Sequence, residues 1–209
     1  MTADTTPDWL ADLTAIPADM AARVIAWMPE MTLDGYQAFL NMMYHYTLGS
    51  EARLRHAAAH TSHDALRALY LELADEEAPH YLLASRDLAT FQSTPTATTP
   101  PEVAAFQHIW DAATAADELV WLGALYALES VGDHLGTAAH AAMTRLQLRP
   151  EQATFVLVHL EADEEHGALC AQLARTHGSL DPASLLSGAR RAGDAWVEMH
   201  RCILGGGAS

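Results

Sequence analysis

Apolar positions recur along the chain at three- and four-residue intervals, and short alternating runs of β-branched residues are absent. Ala, Leu, Glu, Arg and Met dominate, so the pattern predicts helix almost throughout. Pro7 and Pro17 each open a short N-terminal helix, the second ending near Met28-Pro29. Asp34 caps a helix carrying Tyr36, Phe39, Leu40, Met43 and Tyr46, and Gly49-Ser50 interrupts it before a segment from Glu51 to His60. Ser62 caps a long helix from about His63 to Phe91, with Pro79 inside it. Gln92 to Pro101 is rich in Ser, Thr and Pro and is the clear loop. Pro101 starts a helix to about Ala113, and the next runs from about Ala115 to Leu146, loosened at Gly132 and Gly136. Pro150 opens a helix to His177, and Asp181-Pro182 opens the last, which ends before Gly205-Gly206-Gly207. No internal repeat or domain boundary interrupts the pattern. The prediction is one all-α domain of six to eight helices. Residues 1–31 form a helical extension packed on the bundle, 32–204 the main domain and 205–209 a flexible tail.

Composition narrows the functions open to such a bundle. The 209 residues suffice for a real core. They carry 27 Asp+Glu against 11 Lys+Arg, a net charge of -16, and every one of the basic residues is Arg. A chain this acidic is repelled by phosphate backbones and anionic lipid, so neither nucleic acid nor membrane is expected as a partner. Without lysine there is no Schiff-base chemistry and no P-loop lysine. Cys170 and Cys202 cannot make a disulfide framework and read as reduced thiols in a cytoplasmic protein. The start, Met1-Thr2-Ala3-Asp4, lacks the basic and apolar regions of a signal peptide. The most apolar stretch, Leu119 to Leu128, is about half the ~20 residues of a membrane span.

Three local signals carry chemistry. The sharpest is His159-Leu-Glu-Ala-Asp163-Glu-Glu-His166. At about 100° per residue, Asp163 falls near +40° and His166 near -20° from His159, so the three share one stripe of a helix. Glu161, Glu164 and Glu165 fall on the far side. Imidazole and carboxylate on one stripe suit divalent iron, manganese or zinc; the alternative is an acidic solvated face with incidental histidines. The second signal is Asp75-Glu76-Glu77-Ala-Pro79-His80. Glu77 and His80 have the i, i+3 spacing by which helical di-metal proteins point two ligands inward. Glu76, four before His80, faces it as well, and spacing does not separate the two acids. The third is Glu129, directly after a run that is apolar on every side, where a buried carboxylate is costly unless paired or bound to metal. Gly123 in that run lets a neighbouring helix approach closely. The competing reading has the helix emerging into solvent at Glu129.

Together these signals supply three imidazoles and three carboxylates: Glu77, His80, Glu129, His159, Asp163 and His166. Without metal, such close carboxylates repel and some take up protons. The order Glu-x-x-His, then Glu after an apolar helix, then His-x3-Asp-x2-His, resembles the haem-oxygenase-like di-iron oxidases and oxygenases. Gly123 to Glu129, Phe155 to His166, and Glu76 to His80 followed by Leu82, Leu83 and Asp87-Leu88 carry the likeness, which spans roughly Tyr36 to His177. The resemblance implies a haem-oxygenase-like bundle of about seven helices and a di-iron centre at those six positions, with two Fe ions as cofactor and manganese as a substitute. It implies O2 and a small organic substrate (an amino acid, an amine or a fatty-acid-like molecule), an electron donor, and a role in secondary metabolism; a homodimer is common for the fold. Pro79 departs from the family pattern and keeps Glu76 in play beside Glu77. Glu51 is a further candidate carboxylate. The branch of the family that draws nitrogen from its own lysine is disfavoured, since the chain has none.

Rival readings keep the fold and drop the metal. A thiaminase-type hydrolase needs a nucleophilic Cys, and Cys170 lies four after His166; a cofactor-free oxidase needs pocket polar groups. A ferritin-like iron binder is the non-enzymatic alternative. Among the other histidines, His45 sits between tyrosines and methionines and either lines a pocket or is a satisfied core residue. His56, His60, His63, His108, His177 and His200 read as surface residues.

Overall fold

Leu13, Pro17, Met20, Ala21 and Val24 fall on one buried stripe, and that stripe holds Asp8–Ile25 in a single helix, α1. The pattern places a helix start at Pro17, but the structure runs α1 through it. Continuous packing of the stripe outweighs the backbone hydrogen bond that the proline removes. The structure, a computed structural model, describes residues 8–204, and the side chains of 114–116 and 162–165 are outside that description.

After a 3-10 turn at Met28–Glu30, α2 spans Leu33–Thr47. Its cap is Thr32, whose Oγ1 accepts from the Gly35 N–H at 3.1 Å, so Asp34 lies inside the first turn and is not the cap. Gly49, in the left-handed region at φ 95, turns the chain into α3, Ser50–His60. The helix expected over 63–91 is two, α4 at Asp64–Glu77 and α5 at His80–Thr90. Pro79 sits at the break, where it has no N–H to continue the ladder. Ser62 does not cap α4. Its backbone N–H and hydroxyl donate to the Glu118 carboxylate, as does the Thr61 hydroxyl, and so fasten this corner to the next helices.

α6 is Pro101–Ala116, α7 Glu118–Ser130, α8 Gly132–Arg145, α9 Thr154–His177 and α10 Pro182–Leu204. Pro150 opens a 3-10 turn, and α9 itself starts at Thr154. The single helix expected over 115–146 is broken at Asp117 and again at Val131. The described residues thus form ten α-helices, or eight rods when α4/α5 and α7/α8 are each counted as one broken rod, and no strand. None of these helices is long and apolar enough to cross a membrane.

α7 is the axis of the bundle. Nearly every residue from Leu119 to Leu128 is buried, as a helix apolar all round requires. α10 crosses it backbone to backbone through two glycines. A Cβ at Gly123 would lie 1.9 Å from the Leu185 carbonyl oxygen, and one at Gly188 would lie 1.9 Å from that of Val120. α9 packs on another side of α7, α2 packs on α5, α3 on α4, and α1 lies across α10 and α8. The loop after α5 is tied down by Asn41, which accepts from the Thr96 N–H at 2.8 Å, and by His45, whose Nε2 is 3.0 Å from Thr96 Oγ1.

Candidate metal centre

Three helix ends and one long helix converge in the bundle. α4 ends on Glu77, α5 begins on His80, Glu129 is the penultimate residue of α7, and α9 carries His159 and His166. Gly167 lets α9 press against the end of α7: a Cβ there would stand 3.3 Å from the Glu129 carbonyl oxygen and from Ser130 Cα.

Glu77, His80 and His159 form one group, each presenting a ligand-type atom within 4.8 Å of the others. His80 Nδ1 lies 2.7 Å from Glu77 Oε1, yet the pair is not aligned as a hydrogen bond, and Nδ1 is left a buried nitrogen without a hydrogen-bond partner. Charge, rather than a directed bond, ties the two. The His80 and His159 rings stand edge to face at 4.6 Å. His159 Nδ1 is 2.7 Å from the Phe155 carbonyl oxygen. A carbonyl only accepts, so Nδ1 carries the proton and Nε2 keeps its lone pair. Such a bond to the outer nitrogen is how metal-binding imidazoles are oriented.

His166 centres an adjoining group. Its side chain is 8% exposed, with Nε2 2.6 Å from Glu76 Oε2 and Nδ1 3.3 Å from Glu129 Oε2. These contacts push its pKa up to about 9, the bond to Glu129 contributing most, burial opposing, and Glu76 adding to the rise. Glu129 is held above the usual carboxylate range by burial, with the Glu77 charge adding to it and His166 pulling the other way. Glu77 falls below its ordinary value: burial opposes this, but His80, His159 and His166 together prevail. His80 is raised, since Glu77 and Glu129 outweigh its burial, whereas burial lowers His159 despite Glu77. The two carboxylates shift in opposite directions, Glu129 upward chiefly through burial and Glu77 downward because three histidines outweigh its burial.

Five of the six residues nominated from sequence thus have described side chains, and those five fall in two adjoining groups. Asp163 has its backbone in α9, but its side chain is outside the described residues. Glu76 and Glu77 are both drawn in, Glu77 to His80 and His159, Glu76 (half exposed) to His166. Glu51 pairs with Arg55 at 2.9 Å and stays out of the cluster. His45 is buried and bonded to the loop, away from the cavity wall.

Two residues escaped the sequence reading. Asp87 is buried, and its Oδ2 accepts from the Phe155 N–H at 2.8 Å, fastening the first turn of α9 one turn before His159. Burial raises its pKa. His200 is not a surface residue. It is 2% exposed, on the buried stripe of α10 with Trp196 and Leu204. The i, i+4, i+8 spacing of those three was the available signal.

Glu77, Glu129 and His159 show on the wall of a cavity of about 170 Å³. The rest of its lining is largely apolar, with Met43, Leu125, Leu135, Phe155 and Trp196 prominent.

The sequence profile of the iron-containing redox enzymes matches residues 37–197. The chain belongs to that family. Similar solved structures include a domain of unknown function with a haem-oxygenase-like fold from Shewanella denitrificans, at 20% identity and TM-score 0.67, covering 96% of this chain and 91% of that one. Another is a CADD-like protein of unknown function from Nostoc punctiforme, at 14% identity and TM-score 0.75, covering 96% and 99%. A third is a TenA homolog from Pseudomonas syringae, at 15% identity and TM-score 0.75, covering 97% and 96%. The fold is therefore the all-α haem-oxygenase-like bundle. No curated protein matches the chain. For an iron-containing redox enzyme the residues present are suitable. Imidazole and carboxylate are iron's ligand types. His80 Nδ1 is a buried nitrogen without an aligned hydrogen bond, beside the Glu77 carboxylate, and the Phe155 carbonyl leaves the lone pair of His159 on Nε2, so both imidazoles can act as ligands.

Proposed function

We propose that the protein is a non-haem di-iron oxidase or oxygenase that uses O2 to oxidise a small organic substrate in secondary metabolism. The observation that carries this reading is the Glu77, His80 and His159 group beside an apolar cavity, with His166 and Glu129 adjoining it. Glu77, His80 and His159 would hold one ferrous ion, and Glu129 and His166, with Glu76 beside them, the second. Asp163 is retained as a ligand on its register with His159 and His166. Bound iron would supply the electrons and Lewis acidity that O2 activation needs.

The chain's own residues do the rest. The Phe155 carbonyl holds the His159 proton on Nδ1, and Asp87 holds Phe155. His166, with protons on both nitrogens at neutral pH, keeps Glu129 and Glu76 in place until loading releases a proton to solvent. The apolar wall keeps bulk water from the reacting centre and shapes it for a mostly apolar substrate. An external two-electron donor, a reductase or a small reductant, completes the electron balance.

The cysteine-dependent alternative finds little support. Cys170 is fully buried, is not on the cavity wall, and has its thiol pushed well above the ordinary range by burial. Cys202 is exposed, and its thiol is also raised, by partial burial and by Glu198. Neither is an activated thiolate.

The test is anaerobic loading with ferrous iron followed by exposure to O2, with the visible spectrum recorded on the millisecond scale. A transient charge-transfer band and stoichiometric O2 uptake support the proposal. Slow accumulation of many irons points to storage, and no spectral change overturns an O2-dependent function.

A further inference from the structure

The cavity has a second polar place, remote from the acidic cluster. His200 lies on the buried stripe of α10, and its ring lines the cavity. His200 Nδ1 is 2.9 Å from the Trp196 carbonyl oxygen, which can only accept, so the proton sits on Nδ1. Nε2 is therefore an acceptor with its lone pair free, and no described residue hydrogen-bonds to it. Burial pushes the ring's pKa down to about 4, so the imidazole is neutral and the tautomer stays fixed at physiological pH.

Its surroundings are apolar. The Trp196 ring lies tilted against it at 3.8 Å and Phe39 stands at 6.1 Å. Phe39 in turn meets Phe155 at 6.4 Å, and Phe155 meets His159 at 4.0 Å. Two phenyl rings thus lie in series between His200 and His159. Among the described residues the sealed polar atoms without a partner are Tyr70 Oη, His80 Nδ1, Asp87 Oδ1 and Trp121 Nε1; His200 Nε2 has no protein partner either but is not sealed, so it opens to the cavity. An acceptor on the wall of an otherwise greasy cavity is a feature that reads a ligand.

We propose that His200 is a specificity-determining residue whose Nε2 accepts a hydrogen bond from the substrate, selecting mostly apolar molecules that carry a hydroxyl or N–H donor away from the carbon presented to Glu77 and His159. A carboxylate at this point would face a lone pair and be excluded. The inference rests on the cavity being the substrate site and not on the di-iron chemistry.

The probes are 4-propylphenol and 4-propyltoluene, which differ by a hydroxyl against a methyl group. Affinities are measured by titration calorimetry on the protein as purified and after dialysis against a chelator. Between native protein and His200→Phe, the preference for the phenol over the toluene is expected to fall about tenfold, the measure of one hydrogen bond. His200→Gln, which keeps an acceptor, is expected to retain part of it. On the unmutated protein, the 15N resonance of His200 Nε2 is expected to move with the phenol and stay still with the toluene, whatever the variants' stability. An equal preference in native and His200→Phe protein, an unmoved resonance, a preference that vanishes on chelation, or no binding of either probe would overturn the proposal. Iron loading is read separately, so losing the phenol preference and losing the metal centre are distinguishable.

Discussion

The crossing of α7 and α10 is the contact on which the geometry most depends, because α7 carries Glu129 and α10 carries His200. Gly188→Ala tests it. The new Cβ would stand 1.9 Å from the Val120 carbonyl oxygen and 2.7 Å from its carbonyl carbon, where ordinary contact begins at 3.4 Å. The opposing atoms are backbone, so no side chain can swing away, and the helices must part by more than an ångström. Overpacking of this kind costs about 1–3 kcal/mol, and the rigid obstacle puts it near the upper end. At roughly 2–4 °C per kcal/mol for a chain of this size, the melting temperature should fall by roughly 6–12 °C. Gly136→Ala is the internal control. Its Cβ would meet nothing within 4 Å, so relief of glycine's entropy cost in a helix should stabilise by about 0.5–1 kcal/mol. Thermal unfolding followed by far-UV circular dichroism reads both. If Gly188→Ala melts with the native protein, or Gly136→Ala melts as low as Gly188→Ala, the close crossing is not what the packing requires.

Three further outcomes follow from the buried groups. His200 titrates near 4 when folded and near 6.5 unfolded, so the unfolded chain binds the extra proton first and stability falls as pH drops from 6.5 to 4. His200→Phe should lose up to about 3 kcal/mol less over that window, and urea midpoints that run parallel for the two proteins would contradict this. Asp87→Ala should cost about 1–3 kcal/mol by stranding the Phe155 N–H, with Asp87→Asn recovering part of it; equal melting temperatures for all three would remove Asp87 from the support of α9. Iodoacetamide on native protein should label Cys202 and spare Cys170, as peptide mapping would show, and rapid labelling of Cys170 would reopen the cysteine-dependent reading.

Much of the bundle could be read from periodicity, because helix and burial share the 3.6-residue repeat. The all-apolar stretch before Glu129 is the buried axis, and Gly123 is where a neighbour approaches. The misreadings have local causes. Pro17 has the sequence signature of a start, but nothing local reveals that the stripe on either side of it is continuous. Pro79 does break its helix, so Glu77 and His80 meet at 2.7 Å across a junction rather than along one turn. Helical spacing could not choose between Glu76 and Glu77, because the choice is made by which histidine each meets after the chain bends. A polar His200 suggests a surface position, but its neighbours four residues away on either side, Trp196 and Leu204, place it on the buried stripe. Asp87 lies 68 residues from the amide it caps, a separation that no spacing rule bridges.

The central proposal is that Glu77, His80, Glu129, His159, Asp163 and His166 build a di-iron site. Equilibrium dialysis against ferrous iron without oxygen, with iron counted per chain, tests it most directly. The native protein should retain about two irons, and His159→Ala and His166→Ala should each retain about one, at unchanged helical content. A native protein that retains none, or variants that retain as much as the native chain, would contradict the account.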